Sequence, residues 1–505
     1  MAKNKKVEIS LEEKLKKALV PVEEQPYKIP NNWVWTRLGE VNEIITGNTP
    51  SKTENTFWEN KDIFFVKPDD LSQGRHLSFS KEYIDKRAIN KVRMLPKNTT
   101  LICCIGSIGK VAYSEVESCS NQQINSLVAK ENCVYPLYNY YLVNSIFFQS
   151  QMLENSSATT ISILNKSSTE KLLFPLPPLN EQKRIVEKLD FLFDKTKKVK
   201  EIIEEIKVNI ENRKISILDR AFKGVLTSKW RNENKVSDVK KFLKLINDEK
   251  IKKWEEDCLQ AEKDGNKKPK KPIIKEIEDM IVPVEEQPYK IPDSWVWTRL
   301  GEVNEVITGN TPSKNEESFW ENKDISFIKP DDLSQGRQLV YSREYIDKRA
   351  IKKVRMLPKN TTLICCIGSI GKVAYSEIES CSNQQINSLV AKENCVYPLY
   401  NYYLVNSIFF QSQMLENSSA TTISILNKSS TEKLFFPLPP LEEQQEIVRI
   451  LDEVLKNENK VKELLELEER IDILEKSILH KAFKGKLGTQ NINDVSAIEL
   501  LKEIL

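Results

Sequence analysis

A chain of 505 residues, 40% hydrophobic and 30% charged, is long enough for two or more domains and has the composition of a soluble globular protein. Its net charge of +3, from 76 Lys+Arg against 73 Asp+Glu, excludes a uniformly basic nucleic-acid coat. Any DNA-binding surface must gather its cations locally or share the field of a partner. No apolar run approaches the roughly 18 residues of a bilayer span, and residues 1–19 carry charge without an apolar signal core, so a cytoplasmic protein without membrane contact is expected.

Internal repetition sets the order of the elements. After an N-terminal arm (1–19), residues 20–179 recur at 282–441 without a gap, at an offset of 262, with 15 differences in 160 positions. Most differences are mild, such as Ile44/Val306 and Phe79/Tyr341; His76/Gln338 and Phe64/Ser326 are larger. Each copy is followed by a predicted long helix, 180–226 and 442–487, and the copies are joined by a charged helix and linker at 227–281; a helical tail closes the chain at 488–505. The expected architecture is α/β: two mixed α/β domains separated by two long antiparallel coiled-coil helices, with the chain closing on itself in pseudo-twofold symmetry.

Within each copy, Trp33-Val34-Trp35 alternates as a strand after a PNN turn, LICCI (Leu101–Ile105) reads as a buried strand, and Tyr135–Leu153 has helical spacing. The polar segments TGNTPS, KPDDLSQGR, IGSIGK, NQQIN and SSATTISILNKSS are expected loops. Pro177-Pro178 and Pro439-Pro440 set the helix starts, and Gly224 and Gly485 are natural stops. Apolar residues Ile185, Leu189, Leu192, Val199, Ile203, Ile206, Ile210 and Ile217 form a heptad seam interrupted by Thr196 and Arg213. The second seam runs through Ile447, Leu451, Val454 and Val461, then shifts phase to Leu464, Leu467, Ile471, Leu474 and Ile478. About 40 residues at 1.5 Å each make a rod of roughly 60 Å. The alternative is that each helix merely packs on its own domain. The basic tract Lys267–Lys275 reads as a solvated tether, or as a contact for phosphates.

Catalytic chemistry finds little support. The two histidines, His76 and His480, have no counterpart in the other half. GSIGK (Gly106–Lys110) has two residues between its glycines where a phosphate-binding loop needs four, and Val111 follows the lysine. It reads better as a tight turn. Eight of the nine cysteines are four counted twice, and the adjacent pair Cys103-Cys104 lacks zinc-ligand spacing, so buried reduced thiols are expected. Asp69-Asp70, repeated at Asp331-Asp332, reads as caps or salt-bridge partners before it reads as a metal site.

Six motifs occur in fixed order, and all recur in the second copy: P-x-x-W-x-W-x-x-L-G-E (Pro30–Glu40), TGNTPSK, KPDDL, IGSIGK, NQQIN and PLPPLNEQKRIV (Pro175–Val186). Together they resemble the specificity subunits of type I restriction–modification systems over nearly the whole chain. The resemblance implies two target-recognition domains reading a bipartite site on double-stranded DNA. It also implies partners: two modification subunits carrying S-adenosylmethionine, and restriction subunits using ATP and Mg. No cofactor, metal or catalytic residue is expected in this chain. The near identity of its two domains departs from the family, whose members usually carry dissimilar ones, and predicts an interrupted palindrome as target.

By side-chain chemistry, Arg75 and Arg93 are candidate readers of guanine, and Gln122, Gln123 and Asn125 of adenine. Their repeats are Arg337, Arg355, Gln384, Gln385 and Asn387. Lys52, Lys67 and Lys110, with Lys314, Lys329 and Lys372, suit phosphates. Thr49, Ser51, Asp70 and Ser107, with Thr311, Ser313, Asp332 and Ser369, complete the candidate set. The competing reading is that the polar groups of NQQIN satisfy buried backbone instead. Two other functions stay open: a coiled-coil assembly scaffold without base readout, and a DNA methyltransferase or nuclease with its own active site.

Overall fold

The computed structural model describes residues 10–157, 161–265, 267–419, 423–455 and 459–505. Each sequence repeat folds into nine strands in three sheets. In the first copy these are β1 (Val34–Arg37), β2 (Asn42–Thr46), β3 (Ile63–Val66), β4 (Glu82–Ile84), β5 (Thr99–Cys103), β6 (Val111–Ser114), β7 (Ser118–Ser120), β8 (Ile124–Ala129) and β9 (Leu173–Leu176). β1 pairs with β9, a four-stranded antiparallel sheet has the order β2-β8-β5-β6, and a three-stranded sheet has the order β4-β3-β7 with β3 and β7 parallel. The second copy repeats the pairings and registers, so that Thr308 opposes Asn387 as Thr46 opposes Asn125.

The central sheet is buried on both faces, and strand alternation divides its residues between two cores. Ile44, Ile102, Cys104, Val111 and Leu127 face the helices Pro136–Val143 and Ile146–Glu154. Leu101, Cys103, Ala112 and Ile124 face the other way, toward Val66, Leu71 and Leu95. The paired cysteines thus belong to opposite faces of one strand end, and burial pushes the Cys104 thiol up to about 12.

The chain divides into two compact units. One holds Met1–Glu204 with Leu464–Leu505, the other Glu205–Glu463. The 44-residue helix Leu179–Phe222 begins in the first and ends in the second. Its start follows Pro177-Pro178 and its end meets Gly224, at φ 71°; Gly485, at φ 66°, follows the helix Asn459–Phe483 in the same way. In the first unit these two helices run antiparallel. Thr196 donates to Glu475, while Lys200, one turn further on, reaches back to Asp472 at 2.8 Å. Ile185, Val186 and Leu189 share a core with Ile478, Leu479 and Phe483.

The heptad seam is only partly realised. Ile185, Leu189, Ile203, Ile471 and Ile478 are buried, but Val199 is 41% exposed, Ile206 39%, Leu467 40% and Leu474 50%. The side chain of Val461 lies outside the described residues. Thr196, read as an interruption, is buried through its bond to Glu475.

A buried carboxylate ties each domain to two helices. Glu181, at the start of the long helix, accepts from the Trp33 indole at 2.9 Å and from Thr489, beyond the other helix, at 3.1 Å. Glu443 accepts from Trp295 at 2.9 Å, from Thr227 at 2.6 Å and from Arg231 at 2.7 Å. The neighbouring Gln182 bonds the amide of Tyr135 and the carbonyls of Cys133 and Pro177, fastening the adjacent loop; Gln444 does the same for Tyr397, Cys395 and Pro439. Tyr27 donates to the Phe483 carbonyl, as Tyr289 does to that of Phe222. The first unit is thus assembled from the two ends of the chain, and the second from one continuous stretch.

The tail helix Ala497–Ile504 buries Ala497 and Leu501 in the first unit's core, where the second unit uses Val239, Leu243 and Ile246 of the helix Val239–Lys263. The basic tract lies back along this helix. Trp254 donates to the Pro269 carbonyl at 3.0 Å and Asn247 to that of Lys275 at 2.8 Å.

Stranding the fully buried Glu443 carboxylate by Arg231→Met should cost about 3–5 kcal/mol. Removing both charges together (Arg231→Met with Glu443→Leu) should cost less than the sum of the single changes. Denaturant unfolding followed by tryptophan fluorescence measures both; strict additivity would contradict a coupled clamp.

Candidate nucleic-acid interface

The candidate residues gather where the two larger sheets of each domain end together. The carboxyl ends of β2, β3, β5 and β7 and the amino ends of β6 and β8 meet there, because β7 passes directly into β8 through Asn121-Gln122-Gln123. Backbone bonds hold the loops in place. Gly47 N–H donates to the Ile124 carbonyl at 3.0 Å, Asn48 N–H to Ser120 at 2.9 Å, Asn121 N–H to Val66 at 3.2 Å and Cys104 N–H to Gln123 at 2.8 Å. Gly47 is required for space, since a Cβ there would lie 2.3 Å from the carbonyl oxygens of Ser120 and Asn121. The GSIGK segment is the turn between β5 and β6, with Gly106 at φ 77° and Gly109 at φ 93°, and Gln149 clamps the Gly109 carbonyl at 3.0 Å.

On this frame Thr49, Ser51, Lys52, Arg93, Ser107, Lys110 and Gln122 are exposed and Gln123 is half-buried. Gln122 accepts from the Thr49 hydroxyl at 2.9 Å through Oε1, so its amide nitrogen remains a donor. The Gln123 Oε1 accepts from Asn121 at 2.9 Å. Arg93 donates to the Thr46 carbonyl at 2.6 Å, its backbone N–H is held by Asn48, and among the described residues it forms no ion pair. Lys52 and Lys110 likewise form no ion pair among the described residues. The second domain repeats this arrangement at Thr311, Ser313, Lys314, Arg355, Ser369, Lys372, Gln384 and Gln385, with Thr311 half-buried.

Four candidates are corrected by their surroundings. Asn125 and Asn387 are buried to 1% exposure. Asn125 donates both amide hydrogens, to Leu164 and Thr169, and accepts from Thr46; Asn387 does the same with Leu426, Thr431 and Thr308. Asp70 and Asp332 are also buried. Asp70 organises its own loop by accepting from the amides of Lys67 and Lys81 and from Ser80; Asp332 takes the amides of Lys329 and Arg343.

Other candidates are already engaged. Lys67 pairs with Glu82, and Lys329 with Glu344. Arg75 lies over the Tyr113 ring, 5.0 Å from its centroid, and bonds Glu115 at 2.9 Å, away from the loop cluster on the edge strand β6. Arg337 bonds Glu377 and Asp452, each at 3.3 Å, and so faces the helix that follows its domain.

One element was missed by side-chain reasoning. The segment 161–164 pairs with the GSIGK turn: Gly106 N–H donates to Ser162 at 3.0 Å and Leu164 N–H to Cys104 at 2.8 Å. The apolar alternation within SSATTISIL was its signal.

Among the described residues no group of three or more His, Cys, Asp or Glu is placed to hold a metal ion, and no helix is long and apolar enough to cross a membrane. Gly47→Ala with Gly309→Ala should force the two loops apart, speeding amide exchange at residues 47–48 and costing about 1–3 kcal/mol as other overpacking changes do. Unchanged protection there would contradict the close approach.

Comparison with known proteins fits this geometry. The profile of the type I restriction modification DNA specificity domain matches residues 30–208 and 292–469. The chain is 24% identical over 447 residues to the type I restriction enzyme MjaIX specificity subunit of Methanocaldococcus jannaschii, covering 86% of this chain and 90% of that one. It is 25% identical over 376 residues to the EcoBI specificity subunit of Escherichia coli, covering 73% and 69%. Its fold matches the HsdS subunit from Thermoanaerobacter tengcongensis with a TM-score of 0.51 at 20% identity, covering 92% of this chain and 100% of that one. A chain from a structural study of complex assembly and conformational transition in the type I R-M system matches with a TM-score of 0.64 at 19% identity, covering 92% and 100%. The chain belongs to the type I restriction modification DNA specificity family: it is a specificity subunit, not a catalytic one, and it carries two nearly identical target-recognition domains.

Proposed function

We propose that this subunit reads a bipartite DNA site with two copies of one reader, and that the site is an interrupted palindrome. The observation that carries this reading is the distribution of the 15 differences. None falls in Thr46–Lys52, Lys67–Arg75, Lys91–Arg93, Gly106–Lys110 or Asn121–Asn125, so every candidate contact residue is identical in both domains, while the loops that carry them differ further along at Thr53/Asn315, Asn55/Glu317, Thr56/Ser318 and His76/Gln338. Two identical readers on antiparallel helices recognise the same half-site on opposite strands.

The proposed division of the chain keeps 20–179 and 282–441 as the recognition domains, 180–226 and 442–487 as the helices that separate them, and 1–19, 227–281 and 488–505 as arm, linker and tail. Gln122 and Gln123, with Gln384 and Gln385, are the proposed adenine readers, and Arg93 and Arg355 the proposed guanine readers. Lys52 and Lys110, with Lys314 and Lys372, hold phosphates, and Thr49, Ser51 and Ser107 with their repeats support them. Arg75 and Arg337, Lys67 and Lys329 would contact DNA only by giving up the carboxylates that now hold them. The helices form the frame on which two adenine-methylating subunits, bearing S-adenosylmethionine, and ATP- and Mg-dependent restriction subunits assemble in the cytoplasm.

Methylome sequencing of a host expressing the chain with its modification subunit should return an interrupted palindrome bearing methyladenine. Two unrelated half-sites would overturn the symmetric reading, and no motif would favour a scaffold without base readout. Gln122→Ala with Gln384→Ala should weaken cognate binding by about 1–3 kcal/mol per half-site and relax one base position. Lys52→Ala with Lys314→Ala should weaken all sequences alike and lower the salt slope by about 0.9 per lost phosphate contact.

A further inference from the structure

We infer that Ile161 and Ile163, with Ile423 and Ile425 in the second domain, form an apolar contact for the C5-methyl group of thymine. This rests on the reading above that the loop cluster faces DNA. Ile161 is 58% exposed and Ile163 40%, and their repeats agree at 57% and 40%. A single exposed isoleucine needs no explanation; two of them two residues apart beside a polar turn, repeated in both domains, do.

The backbone fixes Ile163, two residues after Ile161. Ser157 and Ile163 exchange two hydrogen bonds of 3.0 Å, and the strand is tied on its other side to Cys104 and Gly106. In the second domain Ser419 and Ile425 exchange bonds of 3.0 and 3.1 Å, and Gly368 and Cys366 hold Ser424 and Leu426. Strand alternation then sets the directions. Leu164 is buried and its neighbour Ile163, in the bridge, points away from the core, while Ile161, in the bend before it, is the more exposed of the two.

The neighbouring turn presents Ser107 and Lys110, and the joined loops present Gln122, Lys52 and Arg93; none of these three cations forms an ion pair among the described residues. An apolar pair joined to the turn that carries Lys110 fits a polyanion carrying methyl groups better than an apolar protein face. The major groove of DNA offers one such group, the methyl of thymine. Ile163, on hydrogen-bonded backbone, binds it with less loss of backbone freedom than a residue on an unpaired loop would.

The test uses the subunit assembled with its modification subunits and duplexes in which each thymine of a half-site is replaced in turn by deoxyuridine, which lacks only the methyl. At one or more positions the wild-type complex should lose about fourfold in affinity, the worth of one buried methyl. A complex with Ile161→Ala, Ile163→Ala, Ile423→Ala and Ile425→Ala should be weaker by a similar factor on ordinary DNA and indifferent to deoxyuridine at that position. The milder Ile161→Val with Ile423→Val should keep the discrimination, which guards against a folding defect in the alanine variant. Uniform indifference of the wild-type complex to deoxyuridine overturns the inference, as does an equal penalty in both proteins. Failure of the alanine variant to assemble, with methyl discrimination intact in what assembles, overturns it in favour of a protein contact. Loss of sequence-specific binding by the wild type would instead sink the DNA-reading proposal itself.

Discussion

Two buried carboxylates carry this architecture. A carboxyl group with no exposure is tolerated only where hydrogen-bond donors converge on it, and the groups that meet at Glu181 and at Glu443 come from three places in the chain. An indole from the recognition domain, Trp33 or Trp295, supplies one; a hydroxyl beyond the end of another helix, Thr489 or Thr227, supplies the next. The carboxylate itself stands at the start of the helix leaving the domain. Each clamp is satisfied only when a domain, the helix that leaves it and the segment after a second helix are together. In the first unit that second helix is the last long one in the chain, so the clamp also draws the C-terminal segment to the first domain.

The clamps are not equal. Arg231 adds a charged donor to Glu443, and among the described residues no arginine bonds Glu181, whose neighbour Arg184 is turned to Asp494 and the Thr489 carbonyl. The tail helix and the longer helix Val239–Lys263 fill corresponding places in the two cores, the first ending the chain and the second continuing into the basic tract. Near identity of the recognition domains therefore coexists with different surroundings, and what is identical is the set of candidate contact residues.

Much of this is legible in the residues where local rules decide. Pro177-Pro178 and Gly224 bound a helix because one cannot continue it backwards and the other ends it at positive φ. Leu101–Cys103 of LICCI lie in a strand buried on both faces, which begins at Thr99, because these residues are small or apolar. The seam is less legible, since a heptad pattern states which residues could be buried and not how closely a partner approaches; Val199 and Leu474 stay exposed. Asn125 suits a base edge by type, but its spacing from Leu127 along β8 places both on one buried face, in keeping with the competing reading of NQQIN. The Glu-Gln of PLPPLNEQ stands out as a motif, but its meaning depends on Trp33, 148 residues away, which no local pattern connects to it.

Both domains present the same candidate contact residues, and the 15 differences lie outside the short segments that carry them. The most direct test of this account replaces residues 20–179 by the sequence of 282–441, making the two domains identical. The modified chain, expressed with its modification subunit, should methylate the same sequence with the same gap as the native chain. A changed motif would mean that residues outside the loop cluster read DNA, and would contradict the account.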